Sequence, residues 1–333
     1  MTQPASKFRM SLILLTYNQE SIVKLAAESC LLQDCEPIEI IFSDDASTDG
    51  TFRVLETLVE EYRGPHQVRA LCNETNLGIG AHYNKLLTET SGELLVTAAG
   101  DDISAPQRLK RLAQAWDATG QRADLIASHF TEIKTNGTSG RHIATDNLSE
   151  VSIAGWSKQR PYVVGATHAF TRRMMLRFGP FIEHIWYEDQ IMLLRALMGG
   201  GAVTVTEPLV MYRLGGSSNA EIAYTGKELV TQFRTQNLRA LAEIEQLLQD
   251  AEKAGFEELV RGSLSKSIKR EYCIRAILDA PSFALRYKAC MAEPSVPLLW
   301  SLRKCLYFSY PNQAAWIRNH RIKIRKNLRS AKY

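Results

Sequence analysis

The chain has 333 residues, 45% of them hydrophobic and 23% charged, with a formal net charge of +4. This is the composition of an ordinary soluble globular protein, long enough for a sizeable core and one or two domains. Its six cysteines (Cys30, Cys35, Cys72, Cys273, Cys290 and Cys305) contain no C-x-x-C pair, which speaks against a zinc or dithiol redox motif and fits a reducing compartment.

The opening MTQPASKFRM lacks the apolar core of a secretory signal, and no run of 18 apolar residues occurs, so a cytoplasmic chain without a transmembrane helix is expected. Met10–Leu15 is an apolar strand ending at Thr16-Tyr17-Asn18. Residues 19–32 carry Ile22, Leu25, Ala26 and Ser29 at helical spacing. Ile38–Phe42 predicts a second strand and Thr48–Arg63 a second helix; Val68–Leu71, Ala81–Thr90 and Leu94–Ala98 continue the alternation. Such alternation implies a parallel sheet covered by helices, with ligands bound beyond the strands' carboxyl ends. Ala123–Phe130 reads as a further strand and 134–150 as a polar loop, with apolar segments following at 165–175 and 181–198. Beyond Ser217-Ser218-Asn219 the pattern becomes helical, at 222–253 and 256–280. The expected division is 1–220 for a catalytic α/β domain and 221–333 for a helical C-terminal region.

Four clusters carry potential chemistry. In Ser43-Asp44-Asp45-Ala46-Ser47-Thr48-Asp49-Gly50-Thr51, carboxylates at a strand end suit a nucleobase or ribose; the plain alternative is a helix cap by Ser47 or Thr48. Asn76-Leu77-Gly78-Ile79-Gly80 superficially suggests a dinucleotide fingerprint, but Tyr83 stands where the third glycine belongs, and a tight turn into a helix fits better. Adjacent Asp101 and Asp102 after an apolar strand repel each other unless a cation or donors compensate, which points to Mg²⁺ or Mn²⁺; the alternative is a cap before Ser104-Ala105-Pro106. Glu188-Asp189 opens a helical run, where an acid either complements the helix dipole or serves as a general base.

Taken in order, these segments resemble the inverting glycosyltransferase family 2, over residues 10–215. Ser11–Asn18 looks like its first strand and nucleotide loop, and Ser43–Thr51 like its Asp-Gly-Ser-Thr-Asp-Gly-Thr signature with Ala46 in place of glycine. Asn76-Leu77-Gly78 and Asn84 match its following loop and helix, Gly100-Asp101-Asp102 its metal motif and Glu188-Asp189 its later acidic motif. The resemblance implies an α/β GT-A fold, a Rossmann-like, mostly parallel sheet covered by helices, with a C-terminal helical extension. It implies a nucleotide-sugar donor, UDP before dTDP or GDP, and a glycan or lipid-linked glycan acceptor of a bacterial surface polysaccharide such as lipopolysaccharide or capsule. Carried over, Thr16, Tyr17, Asp45, Asn76 and Asp101 border the donor nucleotide, with Asp101 on ribose or metal, and Asp102 binds Mn²⁺ or Mg²⁺. Asp189 takes the acceptor proton, and His168 and Glu188 face donor sugar and acceptor, although a lone histidine is more often structural. A nucleotidyltransferase is the competing enzyme class, but Thr16-Tyr17-Asn18-Gln19-Glu20 supplies neither its glycines nor its base; a non-catalytic glycan-binding relative would not need both acidic pairs.

After Glu293 there is no acidic residue, while nine basic ones follow: Arg303, Lys304, Arg318, Arg321, Lys323, Arg325, Lys326, Arg329 and Lys332. Interleaved with Trp300, Leu306, Tyr310, Trp316, Ile317, Ile322, Ile324 and Leu328, they suit an anionic membrane surface, placing the protein peripherally on the inner face of the cell membrane. The alternative is a helix packed on the catalytic domain with a solvated basic face. Nucleic acid is not expected, because no binding module accompanies the charge.

Overall fold

A computed structural model describes residues 8–134, 138–214 and 224–330, with side chains described as far as 324. The expected boundary at Ser217-Ser218-Asn219 lies outside the described residues, as do the side chains of Arg325, Lys326, Leu328, Arg329 and Lys332. Two compact units emerge, one of residues 1–218 with 249–256 and one of 219–248 with 257–333.

In the first unit the elements run β1 (Met10–Thr16), α1 (Val23–Leu31), β2 (Glu39–Asp44), α2 (Thr51–Glu61), β3 (Gln67–Cys72), α3 (Ile79–Glu89), β4 (Leu94–Ala99), β5 (Ile103–Ser104) and α4 (Arg108–Ala118). There follow β6 (Leu125–Ile133), β7 (Ser139–Ile143), α5 (Ile153–Lys158), β8 (Ala169–Thr171), α6 (Arg172–Phe178), α7 (Asp189–Leu197) and β9 (Ala202–Arg213). Helix α8 (Gly226–Ala254) leads into α9 (Glu257–Asp279), α10 (Phe283–Met291), α11 (Leu298–Ser309) and α12 (Pro311–Ser330).

The described strands form one sheet in the order β3-β2-β1-β4-β8-β6-β9-β5, with β7 beside β6. Strands β1, β2 and β4 are apolar runs buried almost throughout, as strands covered on both faces must be. The expected parallel arrangement holds for β3, β2, β1 and β4. Beyond β4 the sheet is mixed: β8 runs antiparallel to both β4 and β6, while β6 and β9 are parallel to each other. The chain builds outward through β2 and β3, then returns to lay β4 on the other side of β1. The switch point therefore lies between β1 and β4, and the crevice beyond their carboxyl ends is where open α/β sheets bind ligands. Val23, Ala26 and Ala27 of α1 and Leu109, Leu112 and Trp116 of α4 pack with Leu12, Leu14, Phe42 and Val96 in the main core.

Helix α7 is anchored from behind. Arg195, fully buried, makes a bidentate pair with Asp250 (2.6 and 3.1 Å), and its guanidinium stacks 4.7 Å over the Phe181 ring. In the second unit, Cys273, Ile277, Cys290, Val296, Cys305 and Phe308 form the core, and Lys304 lies 4.2 Å over Phe233. Helices α11 and α12 bury one face there and leave Leu299 (85% exposed), Leu306, Tyr310 and Trp316 (68%) in solvent beside Arg303 and Arg321. Among the described residues no helix is long and apolar enough to cross a membrane.

Candidate functional site

The loops after β1 and β2 are laced together. Asn18 N donates to Ser47 Oγ (2.8 Å), Gln19 N to Thr51 Oγ1 (2.7 Å) and Glu20 N to Asp49 Oδ2 (3.1 Å); in return Thr48 N donates to Asn18 Oδ1 and Gly50 N to Glu20 Oε2. The N-cap of α2 is Gly50, which has no side chain to cap with; Asp49 before it accepts from Thr51 N (3.0 Å), so neither Ser47 nor Thr48 caps the helix. Ser47 instead donates to Asp44 Oδ1 at 2.6 Å, and Thr16 Oγ1 donates to the same oxygen at 3.0 Å. Ala46 sits at φ +60°, a left-handed conformation that L side chains adopt at a cost, which accounts for glycine at this place in the resembling signature.

Asp45 is buried and serves the next loop. Its carboxylate accepts from Asn73 Nδ2 (2.8 Å), Leu77 N (2.8 Å) and Gly78 N (2.9 Å), and its carbonyl accepts from Asn76 Nδ2 (3.2 Å). A carboxylate offers about four acceptor positions, so one remains. Thr16, Asp45 and Asn76 thus gather around one crevice edge, with Tyr17 exposed beside it.

The β4 acids lie across the switch point. Gly100 N donates to Leu15 O (2.9 Å), and a side chain at Gly100 would overlap Thr16 and Gln19, so only glycine lets these loops approach. Asp102 is 5% exposed; its Oδ1 accepts from Arg213 N (2.8 Å), while its Oδ2 is buried with no partner. Burial, and then the neighbouring charge of Asp101, push the Asp102 carboxyl up to about 8; burial raises Asp101 too. An orphaned carboxylate oxygen beside a second carboxylate fits a hard divalent cation. Among the described residues no group of three or more His, Cys, Asp or Glu side chains gathers into a metal cluster. Two carboxylates would leave the remaining coordination to phosphate oxygens and water.

The second acidic pair heads α7. Glu188 and Asp189 are half-buried, and their carboxylates close on Gly165, where a Cβ would collide with Asp189 Oδ1 and Glu188 Oε1. Burial, then the charge of Asp189, drive Glu188 well above the usual carboxylate range, and the two side chains hydrogen-bond. Glu188 therefore holds a proton against its neighbour. The approach to the pair is fixed by Asn84, which exchanges two 2.8 Å hydrogen bonds with the backbone of Phe181, and by Gln190, which bridges Trp156 Nε1 and Pro161 O at 2.9 Å.

Arg108 joins the two acidic pairs. Fully buried, it donates to Ser104 Oγ (2.9 Å), Thr97 O (2.7 Å) and Ala166 O (2.8 Å), so one guanidinium grips β4 before Asp101, β5 after Asp102 and the turn that follows Gly165. Burial lowers its pKa to about 10, which leaves it charged at neutral pH. Burial, and then the charge of Arg108, press His168 down to about 3. His168 is 2% exposed, with Nε2 unpartnered. It is set behind the crevice wall as a neutral ring, apart from the exposed candidates. Tyr212 feels Asp102, Asp101 and Asp189 together and is pushed up to about 12, first by burial. Arg108, Tyr212 and Arg213 carry no signal in the sequence, since only tertiary contact reveals them.

A family model described as Glycosyl transferase family 2 matches residues 11–180. An uncharacterized protein of Mycobacterium tuberculosis is 24% identical over 272 residues, 79% of this chain and 74% of its own. An uncharacterized glycosyltransferase of Nostoc sp. is 26% identical over 219 residues, 63% of this chain and 66% of its own. The crystal structure of S. aureus TarS 1–349 in complex with UDP-GlcNAc is similar at TM-score 0.57 and 18% identity, covering 92% of this chain and 91% of that one. The mannosyltransferase PcManGT from Pyrobaculum calidifontis, in complex with GDP-Man and Mn²⁺, is similar at TM-score 0.53 and 15% identity, covering 90% and 87%. At these identities the likeness of the structures concerns the fold.

Proposed function

The chain belongs to glycosyl transferase family 2, with its α/β GT-A fold and a C-terminal helical region, and from that premise we propose that it transfers a sugar, with inversion, from a UDP-sugar to a hydroxyl of a glycan or lipid-linked glycan acceptor. One observation carries the proposal: the charges of Asp102, Asp101 and Asp189 all act on the Tyr212 ring, which brings the two acidic pairs into one neighbourhood. Asp102 offers an unpartnered carboxyl oxygen beside Asp101, which a bound cation would hold ionised, while Glu188 keeps its proton beside Asp189.

In this reading Thr16, Tyr17, Asp45 and Asn76 border the nucleoside, Asp45 through its remaining acceptor position. Asp101 and Asp102 would hold Mn²⁺ or Mg²⁺, whose charge, when bound, offsets that of the diphosphate leaving group. Glu188, kept protonated, leaves Asp189 as the ionised member of the pair. Asp189 accepts the proton of the acceptor hydroxyl as its oxygen bonds to the anomeric carbon; the carbon–phosphate-oxygen bond breaks and its electron pair leaves with the nucleoside diphosphate. One displacement inverts the centre. His168 acts at the sugar end through the turn it closes, its N–H donating to Gly165 O at 3.0 Å.

The UDP-GlcNAc of TarS and the Mn²⁺ of PcManGT support the donor class and the cation. A surface polysaccharide, lipopolysaccharide or capsule, is the proposed product, and the basic, apolar-rich face of α11 and α12 is the proposed contact with an anionic membrane carrying the acceptor. The deciding experiment is turnover of a UDP-sugar panel with Mn²⁺, Mg²⁺ or chelator: cation-dependent release of UDP is expected, and binding of no nucleotide sugar would overturn the reading.

A further inference from the structure

We propose that Tyr162 and Tyr212, backed by Phe130, form the platform on which a sugar ring of the acceptor rests while its hydroxyl meets Asp189. The inference rests on the transfer reading above and adds to it the place and chemistry of the acceptor subsite.

The Phe130 ring centroid lies 6.4 Å from that of Tyr162 and 5.3 Å from that of Tyr212, so the three rings form a continuous row. Phe130 is 2% exposed and serves as backing, whereas Tyr162 is 50% exposed and offers open ring surface. Phe130 and Tyr212 stand on the paired strands β6 and β9, where Phe130 faces Val210 and Glu132 faces Tyr212. The backbone of Tyr162 is held by two hydrogen bonds with Asp146: its N–H donates to the side-chain Oδ2 (2.8 Å), and Asp146 N donates to its carbonyl (3.2 Å). A backbone held in place leaves only side-chain rotation to be lost when a ligand covers the ring.

Strand order decides which substrate meets this row. The nucleoside-facing residues follow β1 and β2, and the β4 acids come next; β6 and β9 lie on the far side of β4. The inner end of the row reaches the chemistry, because Tyr212 precedes Arg213, whose N–H holds Asp102. The charge of Asp189 is felt at both Tyr162 and Tyr212. A nucleotide sugar anchored at β1 and β2 thus fills the space up to the acids, and the acceptor approaches from the β6–β9 side. A pyranose suits such a surface: its C–H face lies on the electron-rich ring, and its hydroxyls reach the phenol oxygens.

The test uses the full chain with UDP and Mn²⁺ and three probes, the methyl β-glycosides of glucose, galactose and N-acetylglucosamine, followed by saturation-transfer NMR titration. At least one glycoside is expected to bind the wild type, with affinity lowered about three- to tenfold in Tyr162→Ala and largely kept in Tyr162→Phe. UDP affinity, measured by calorimetry, is expected to be the same in all three proteins. Equal glycoside affinity in wild type and Tyr162→Ala overturns the platform. So does a wild type that binds UDP but no glycoside, or a parallel loss of UDP affinity in Tyr162→Ala. A wild type that binds no UDP overturns the transfer reading itself, and is thereby distinguished.

Discussion

The Cα of Gly165 packs so closely against the Asp189 carboxylate that a methyl group there would overlap its Oδ1, and Glu188 Oε1 with it. Gly165→Ala therefore displaces both acids while leaving the β1 and β2 loops untouched. Misplacement of a reacting group by about 1 Å can cost about 10²-fold in rate. Steady-state kinetics should show a loss of that order in kcat with UDP affinity retained; full activity in a folded Gly165→Ala protein would contradict the packing.

Asp189→Asn preserves shape and removes the proposed proton acceptor. Loss of a general base costs about 10²–10⁴-fold, so transfer should fall in that range while calorimetry still detects UDP. Parallel loss of UDP binding would move Asp189 to the donor site.

Asp102 makes stability depend on pH in an unusual direction. Burial and Asp101 raise its carboxyl from 3.8 to about 8, so the fold binds this proton more tightly than the unfolded chain does. Without metal, the Asp102 contribution to stability is greatest at low pH and is lost as pH rises through the window from about 4 to 8. Asp102→Asn, neutral throughout, should melt with a flatter pH dependence in chelator and show no cation-dependent turnover. A wild type and variant with parallel melting profiles between pH 5 and 8 would refute the shift.

The Arg195–Asp250 pair predicts a large stability effect away from the chemistry. Removing one partner leaves a buried charge uncompensated, at a cost of about 3–5 kcal/mol. Urea unfolding should show this for Asp250→Ala, whereas the paired replacement Arg195→Met with Asp250→Leu should recover most of it.

Membrane attachment is best tested by side-chain replacement. Truncation near Glu293 would remove Cys305 and Phe308 from the core of the second unit. Leu299→Gln with Trp316→Gln, both highly exposed positions, should lower co-sedimentation with anionic liposomes. Arg303→Gln with Arg321→Gln should weaken it further, each base being worth about 1 kcal/mol. Equal partitioning of all forms, or no binding at low salt, would remove the membrane role.

Legible in the sequence are β1, β2 and β4, whose burial leaves an unbroken apolar run, and with them β3 and β6; the acids after β2 and β4 stand out because strand ends concentrate polarity. Strand β7 falls where the sequence predicts a loop: it is a surface strand, Ser139–Ile143, that buries none of its residues fully and carries no apolar pattern. Strands β5 and β8, of two and three residues, are too short for any periodicity. Arg108 looked like any base in Arg-Leu-Lys-Arg; its role arises from a partner 58 residues away, as that of Arg213 arises from one 111 residues away. Side chains that act by bringing distant segments together leave no local signature.

The grip of Arg108 on β4, β5 and the Gly165 turn has an evolutionary consequence. The reacting groups are clamped from inside the molecule, whereas the β6–β7 hairpin and the chain leading to Tyr162 lie outside that clamp. Substitutions along that rim can therefore accumulate one residue at a time without loosening the clamped interior.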